Sequence, residues 1–393
     1  MLDEWVDKPI RPMSLRQLFF FGRTLTEDRL ISSANYVRVE LPTRIAHRLR
    51  EMQKLPYSVV TNPNISYVYE LYYKSFENFR KLRSVRTVDE NQELCKVIRA
   101  SLKEHMTVIP KLVMGLLECQ NLMPADDMDA FVHAMLRARI SRRVIAEQHL
   151  ALTENFNSPG HTAASSSEND FVGEVLLRCN AKEIVESVGK FAQNICKASA
   201  PPGAVVPEIQ IRGHLNATFP YVLTHLEYIV GELLRNSIQA VMDKHASSDN
   251  PPPPIEVLIC EAAQQVIIRF SDQGGGIPRD ILPYLWSFNK GPRSSTRLEN
   301  LAHVPSLAAT MQEVLPEGAD DKIKDSSLLS LTSRPPTLRL GMGLPMSKLY
   351  AEYWAGGLEV HSLEGYGVDA FLQISKLGNQ NEQLTSRASI DAV

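Results

Sequence analysis

A carboxylate and an amide stand four residues apart in the segment Glu232-Leu-Leu-Arg-Asn236. On a helix this spacing places both side chains on one face. There a carboxylate can accept a proton from a nucleophile, and an amide oxygen can bind a hard cation. Solvated helix faces carry the same pattern, so the pair alone leaves a surface interpretation open.

A second candidate is the segment Asp272-Gln-Gly-Gly-Gly276, which ends an apolar, strand-like run. A buried carboxylate at Asp272 could accept a hydrogen bond from an exocyclic amine. The glycines that follow would let the backbone approach a ligand closely. The alternative is a plain turn between two elements.

A third segment, Gly341-Met-Gly-Leu-Pro345, precedes a helix that we predict to begin near Leu344. The free backbone N–H groups of a helix start favour a phosphate, and absent side chains allow its close approach. Paired glycines are also frequent in ordinary loops. A fourth glycine segment, Gly365-Tyr-Gly-Val-Asp369, lies close to the end of the chain.

These segments need a mixed α/β frame, and the second half of the chain has that pattern. We predict a helix over about 181–198, a strand over 208–212 and a long helix over about 219–245. Two adjacent antiparallel strands follow at 255–259 and 265–270. A helix near 344–355 and a final hairpin, 358–362 with 369–374, complete the predicted elements.

The first half reads as a bundle of about four helices, because apolar residues recur there at spacings of three and four. Prolines divide the bundle at positions 42, 56, 63, 110 and 124, and several of them can mark helix starts. We predict a helical domain over 11–154, a polar linker over 155–170 and a second domain over 171–376. Within the second domain, about 290–338 is a predicted lid of low order, and 377–393 is a tail.

Bulk properties exclude some classes of function. The net charge of −3 gives no global reason to expect a nucleic acid partner. No stretch approaches 18 apolar residues, so we expect no membrane insertion. The five cysteines are scattered without metal-ligand spacing, and we interpret them as reduced core thiols. The acidic start, Met1 to Asp7, does not have the pattern of a mitochondrial transit peptide.

In combination, the four segments resemble the Bergerat ATP fold of GHKL proteins, which has an Asn-bearing helix, Asp-x-Gly-x-Gly, a mobile lid and two glycine turns in this order. The resemblance implies an N-terminal helical bundle followed by an ATP-binding α/β sandwich. Histidine kinases, a heat-shock chaperone, mismatch-repair ATPases and type II topoisomerases share this nucleotide fold. The N-terminal half separates these classes.

That half is similar to the helical domain of the mitochondrial pyruvate dehydrogenase kinases and the related branched-chain 2-oxoacid dehydrogenase kinase. The similarity covers roughly 11–376. The segments that carry it are Pro12–Gly22, Glu40–Ala46, Leu55-Pro56, His105–Pro110, Ala138–Arg143 through Gln148-His149, Leu344–Tyr353 and Ser362–Gly367.

The resemblance implies a serine protein kinase that uses ATP and Mg2+ to phosphorylate and inactivate the decarboxylase subunit of the pyruvate dehydrogenase complex. Glu232 would be the general base, and Asn236 would hold the metal. Asp272 would read adenine. The ATP-binding residues that it implies are Glu232, Arg235, Asn236, Gln239, Asp272, Gly274, Gly276, Gly341, Met342, Gly343, Leu344 and Val368.

Three positions depart from the family pattern. Arg339 stands where the nucleotide turn usually begins with glycine, and Val368 replaces a threonine of the last turn. Tyr228 replaces a histidine common in pyruvate dehydrogenase kinases, as in the branched-chain kinase. A branched-chain kinase and a weakly active pseudokinase that docks on the same complexes therefore remain alternatives.

The resemblance also implies partners and a compartment. The lipoyl-bearing core of the complex would be the dock, with Leu15, Leu18, Phe20 and Phe21 as candidates for lining a lipoyl pocket. Bundle core is the alternative interpretation of these apolar residues. The family further implies the mitochondrial matrix and either a homodimer or a heterodimer with a paralogue.

Overall fold

A computed structural model describes residues 1–22, 25–158, 171–246, 250–292, 294–302 and 340–384, except the side chains of residues 21, 294, 295 and 302. The described chain forms two compact units. The first contains residues 1–177, 294–302 and 381–384. The second contains residues 178–292 and 340–380.

The first unit is helical, as predicted. Its helices are α1 (Leu2–Val6), α2 (Leu15–Gly22), α3 (Glu27–Gln53), α4 (Tyr57–Val60), α5 (Pro63–Arg80), α6 (Val88–Glu104), α7 (Val108–Glu118) and α8 (Ala125–Asn157). The long helix α3 packs against α5 and α8, so it lies at the centre of the bundle. A short hairpin of β1 (Phe171–Val172) and β2 (Val175–Asn180) follows, and β2 continues into the second unit.

Side-chain caps fix where three of these helices begin. Thr26 accepts a hydrogen bond from a first-turn amide of α3, Asn62 does so for α5, and Thr87 for α6. Each cap satisfies a backbone N–H that has no partner within its own helix. Acidic residues in the first turns of α3 and α6 add a favourable interaction with the helix dipole.

The prolines mark helix starts with one exception. Pro63 is the first residue of α5, Pro110 lies in the first turn of α7, and Pro56 and Pro124 immediately precede α4 and α8. The predicted break at Pro42 is wrong, because Pro42 lies inside the 27 residues of α3. A proline there costs the helix about 3 kcal/mol. The buried apolar residues along α3 offset that cost by packing against α5 and α8.

A neutral histidine sits in a buried polar network of the bundle. The side chain of His149 is 0% exposed and lies 3.0 Å from the hydroxyl of Ser33 and 2.9 Å from the amide oxygen of Asn91. Asn91 donates to Thr153, which leaves its oxygen to accept from Nε2–H of His149. Burial lowers the pKa of His149 to about 4.

This shift predicts a loss of stability in mild acid. The unfolded chain, with a histidine pKa of about 6.5, binds the proton first as the pH falls. The contribution of neutral His149 is therefore complete above about pH 6.5 and is lost towards about pH 4, a change of about 3 kcal/mol. His149→Gln should flatten the pH dependence of the free energy of unfolding between pH 6.5 and 4.5, measured by urea titration. An unchanged slope would show that another group causes the acid sensitivity.

The second unit is a sheet covered by helices. Its elements are α9 (Ala181–Ser199), β3 (Ile209–Gly213), β4 (Thr218–Val222), α10 (Leu223–His245), β5 (Ile255–Glu261), β6 (Gln265–Asp272), β7 (Gly357–Leu363) and β8 (Gly367–Ser375). Among the described residues, two further α-helices come between β6 and β7. They are α11 (Ser294–Ala302), which belongs to the first unit, and α12 (Gly343–Tyr353).

Five strands of the second unit are ordered β3-β5-β6-β8-β7, parallel between β3 and β5 and antiparallel elsewhere. Helix α10 packs against α9, α12 and β6. The predicted antiparallel pair β5-β6 and the final hairpin β7-β8 are confirmed. This arrangement places α10, the end of β6 and the β7-β8 turn together.

Three predicted boundaries are corrected. The long helix begins at Leu223 rather than near 219, because the alternately buried aromatic residues Phe219 and Tyr221 form β4. Helix α8 continues to Asn157, three residues into the predicted linker. Within the predicted lid, residues 294–302 form α11, whose Leu301 is fully buried. The rest of the lid from 303 lies outside the described residues, as do Arg339, which follows the lid, and linker residues 159–170.

One residue of the predicted tail, 377–393, forms a buried ion pair with helix α3. Arg44 on α3 is 1% exposed and contacts both carboxylate oxygens of Glu382 at 2.7 and 3.1 Å. The backbone N–H of Glu382 also donates to the carbonyl oxygen of Met13. Residues 381–384 are thereby fixed to the helical unit, and residues 385–393 lie outside the described part of the chain.

All five cysteines are free thiols, and four of them are buried. Cys260 is exposed on β5, so its assignment as a core thiol is wrong. Within the described residues, every helix is too short or too polar to cross a membrane.

Candidate active site

Helix α10 carries the predicted proton acceptor. Glu232 is 1% exposed, and one of its carboxylate oxygens accepts from Arg235 at 2.6 Å. Asn236, one turn further along α10, is exposed. The helix therefore places a buried, ion-paired carboxylate next to an accessible amide.

The start of α12 lies directly against this carboxylate. A Cβ atom added to Gly343, the first residue of α12, would overlap the carboxylate of Glu232. Only glycine allows this approach without displacing one of the two groups. The contact brings together the first and third chemical features that the sequence singled out, a general base and a helix start suited to phosphate.

Asp272 lies at the end of β6 and is 5% exposed. Its carboxylate accepts a hydrogen bond of 2.9 Å from the hydroxyl of Ser237 and another of 2.9 Å from the backbone N–H of Gly274. Burial raises the pKa of Asp272, and these two hydrogen bonds act in the opposite direction. The carboxylate is held in one orientation by α10 on one side and its own loop on the other.

The glycines after Asp272 are required by close packing. A Cβ atom on Gly274 would overlap Ala240 of α10, and one on Gly276 would overlap the carbonyl oxygen of Leu363 at the end of β7. Gly276 also has a φ of +77°, which L side chains rarely adopt. The loop therefore packs tightly against α10 on one side and the β7-β8 hairpin on the other. A plain turn between two elements would not require such close packing.

The last glycine turn completes this group of elements. Val368 pairs with Asp272 in the register of β8 and β6, and its side chain is half-buried. A side chain on Gly367 would overlap the carbonyl oxygen of Asp272. The hydroxyl that the family pattern has at 368 is absent next to the proposed adenine carboxylate.

Other predicted residues are placed as follows. Gly341, with a φ of +66°, and the buried Met342 form the turn that enters α12, and Leu344 is half-buried in its first turn. The side chain of Gln239 donates to Asp243 at 2.6 Å. Its amide nitrogen is therefore engaged on its own helix.

The docking candidates belong to the first unit and differ from one another. Leu15 and Leu18 are 2% and 3% exposed and are bundle core, whereas Phe20 is 64% exposed. The side chain of Phe21 lies outside the described residues. Phe20 is the member of this set that is open to a partner.

Sequence reasoning missed Ser237 and Lys244, which both contact this group of loops. Ser237 directly follows Asn236, and its hydroxyl lies on the face of α10 that packs against β6. A small hydroxyl next to a predicted site residue, on a helix that covers a sheet, is a weak signal that could have pointed to it.

The comparisons with known proteins give relatives over nearly the full length. The chain is 33% identical over 430 residues to [Pyruvate dehydrogenase (acetyl-transferring)] kinase 2, mitochondrial, of Saccharomyces cerevisiae, covering 98% of this chain and 85% of that protein. It is 32% identical over 376 residues to [Pyruvate dehydrogenase (acetyl-transferring)] kinase, mitochondrial, of Arabidopsis thaliana, covering 95% of this chain and 92% of that protein. The human isozyme 1 is 26% identical over 384 residues, covering 94% and 78%.

The chain belongs to the pyruvate dehydrogenase kinase family. Two family models match separate parts of it. "Mitochondrial branched-chain alpha-ketoacid dehydrogenase kinase" matches residues 12–176, and "Histidine kinase-, DNA gyrase B-, and HSP90-like ATPase" matches residues 222–377. The expected family and fold class, a helical region followed by a GHKL ATPase domain, are confirmed.

This kinase is accordingly an ATP-using protein kinase, with its nucleotide domain in the region that carries Glu232, Asp272 and Gly343. Its relatives are named mitochondrial. The roles of individual residues stay predictions, supported by the contacts described above.

Proposed function

We propose that this kinase transfers the γ-phosphoryl group of ATP to a serine of the decarboxylase subunit of the pyruvate dehydrogenase complex and thereby inactivates it. The observation that carries the proposal is the contact between Glu232 and the glycine that begins α12. Because of this contact, the carboxylate of Glu232 lies next to the first turn of α12, whose free backbone N–H groups would bind phosphate. The relatives' names supply the substrate complex.

Glu232 is the proposed general base. Its carboxylate takes the proton of the substrate serine as the serine oxygen attacks the γ-phosphorus, and ADP leaves with the electrons of the broken bond. Arg235, at 2.6 Å, fixes the orientation of the carboxylate. Gly343 has no side chain to displace this carboxylate.

Asp272 is the proposed reader of adenine. The carboxylate already accepts from Ser237 and Gly274, and each carboxylate oxygen can accept a further hydrogen bond. The glycine loop and Val368 would border the base. The backbone amides at the start of α12 would face the phosphates.

Mg2+ fits this donor set as a metal brought in by the nucleotide. Among the described residues, no cluster of three or more His, Cys, Asp or Glu could hold a metal alone. Nucleotide-bound Mg2+ needs only one or two protein oxygens, and the exposed Asn236 can provide one. When bound, the ion would supply positive charge to the phosphates.

The choice of substrate complex needs a direct test. The helical half matches a model named for the branched-chain kinase, and Tyr228 also favours that member, whereas the full-length relatives are named pyruvate dehydrogenase kinases. Purified decarboxylase subunits of both complexes should be offered together with labelled ATP. Preferential labelling of the pyruvate enzyme supports the proposal, and preferential labelling of the branched-chain enzyme reassigns the substrate. Label on neither would favour a docking pseudokinase.

The lipoyl-bearing core of the complex is the proposed dock, and Phe20 tests it. Because Phe20 is 64% exposed, Phe20→Ala should change the melting temperature by no more than a few degrees. The same change should weaken binding of a lipoylated carrier domain about tenfold, as for an aromatic anchor at an interface. Scanning calorimetry measures the melting temperature, and titration calorimetry with lipoylated and unlipoylated carrier measures the binding.

Tyr57→Ala is the matched control, since Tyr57 is an aromatic residue of the same unit that is 84% exposed. It should leave carrier binding unchanged. Equal binding of the two carrier forms by the unaltered protein would exclude a lipoyl slot. The matrix location and the dimer stay proposals of the same kind, which fractionation and sedimentation velocity would test.

A further inference from the structure

Lys244 connects three segments around the proposed adenine end of the site. Its ammonium group, near the end of α10, donates to the carbonyl oxygens of Gly365 and Tyr366, at 3.1 Å each. A Cβ atom on Gly275 would lie 3.4 Å from Cδ of the same lysine. The lysine stem thus lies over the loop after Asp272, and its charged end lies on the β7-β8 turn.

The two turns are also joined to each other. The backbone N–H of Gly275 donates to Tyr366 at 3.0 Å, and the N–H of Gly365 donates to Gly275 at 2.7 Å. The N–H of Ile277 donates to the hydroxyl of Ser362 at 2.7 Å. These bonds form a ladder between the loop that holds Asp272 in place and the turn that presents Val368.

The turns cannot hold their positions by local preference alone. Gly275 and Gly365 have φ angles of +95° and +86°, and glycine gives the backbone more freedom than any other residue. Carbonyl groups of such turns are good acceptors for a lysine ammonium, and charge-assisted hydrogen bonds are stronger than neutral ones. Lys244 supplies the side-chain bonds that tie the β7-β8 turn to α10.

We propose that Lys244 is a positioning residue for nucleotide binding, which holds the β7-β8 turn, and the Asp272 loop bonded to that turn, in place against α10. The inference rests on the proposed ATP site and adds a residue that the resemblance does not implicate. Lys244 lies two turns of helix beyond Asn236 on α10. It therefore acts on how well the base of ATP is held and leaves proton transfer at Glu232 untouched.

Lys244→Met retains the apolar stem and removes the donor. It should raise the KM for ATP about three- to tenfold, the effect of losing one or two solvent-exposed hydrogen bonds, and should change kcat by less than about twofold. Lys244→Arg should restore a KM near that of the unaltered enzyme, because guanidinium can also donate to two carbonyl oxygens. Steady-state kinetics with full-length protein and decarboxylase subunit give both parameters.

Lys376→Met is the matched control, because Lys376 is a lysine of the same unit that pairs with Glu261 away from these turns. It should leave the KM for ATP unchanged. An unchanged KM in Lys244→Met, an equal rise in Lys376→Met, or a failure of Lys244→Arg to restore KM would each overturn the inference. Asn236→Ala separates this failure from a wrong ATP site. If Asn236→Ala binds ATP normally, the proposed ATP site itself is wrong. If Asn236→Ala loses ATP binding while Lys244→Met keeps its KM, only the role assigned to Lys244 is wrong.

Discussion

Replacing Glu232 with glutamine should lower the rate of phosphoryl transfer by about a hundredfold or more, the usual contribution of a general base. Glutamine has nearly the same shape as glutamate, so it can remain beside Gly343 and next to Arg235. What it loses is the capacity to take a proton from the substrate serine. ATP binding, measured by calorimetry, should persist, because the change does not touch Asp272 or the glycine loop.

Glu227→Gln is a suitable control on the same helix. Glu227 lies five residues before Glu232, which turns it by about 140° to another face of α10. Burial raises the pKa of Glu227 to about 7, so a neutral glutamine is tolerated there. Transfer should remain within about twofold in this variant. Full activity in Glu232→Gln, or an equal loss in both variants, would contradict the role of Glu232.

Asn236→Ala should abolish the Mg2+-dependent binding of ATP. The amide of Asn236 is the protein oxygen that we assign to the metal, and alanine offers no ligand in its place. Asn236 is exposed and alanine is the better helix former, so the fold should be unaffected. Calorimetric titration of ATP with and without Mg2+ measures the loss.

Asn194→Ala on α9 provides the comparison, since it removes another exposed helical asparagine of the same unit. Its ATP affinity should equal that of the unaltered protein. ATP affinity that is unchanged in Asn236→Ala in the presence of Mg2+ would contradict this metal assignment and, with it, the proposed ATP site.

Much of this site could be predicted because glycine and helix spacing carry strong local constraints. The positions of Glu232 and Asn236 on one helix follow from their four-residue separation, and the strands β5 and β6 follow from their alternating apolar residues. The start of α12 could be placed within one residue, since a glycine turn precedes it.

Other features depend on contacts that no local pattern encodes. The hydrogen bonds of Ser237 and Lys244 join α10 to segments 35 and 121 residues away in sequence. Pro42 is accepted inside α3 only because tertiary packing offsets the lost helix bond. The burial of Glu382 against Arg44 joins positions 338 residues apart, and the polar composition of the tail gives no sign of it.

The most direct test of the proposed function is the chemical identity of the phosphorylated residue. The protein should be incubated with ATP labelled in the γ-phosphate and the purified decarboxylase subunit of the pyruvate dehydrogenase complex. The labelled amino acid and the remaining decarboxylase activity should be measured in the same samples. We expect phosphoserine on the decarboxylase subunit, rising in step with the loss of its activity. Label confined to a histidine of the kinase itself, or a decarboxylase that remains unlabelled and fully active, would contradict the proposal.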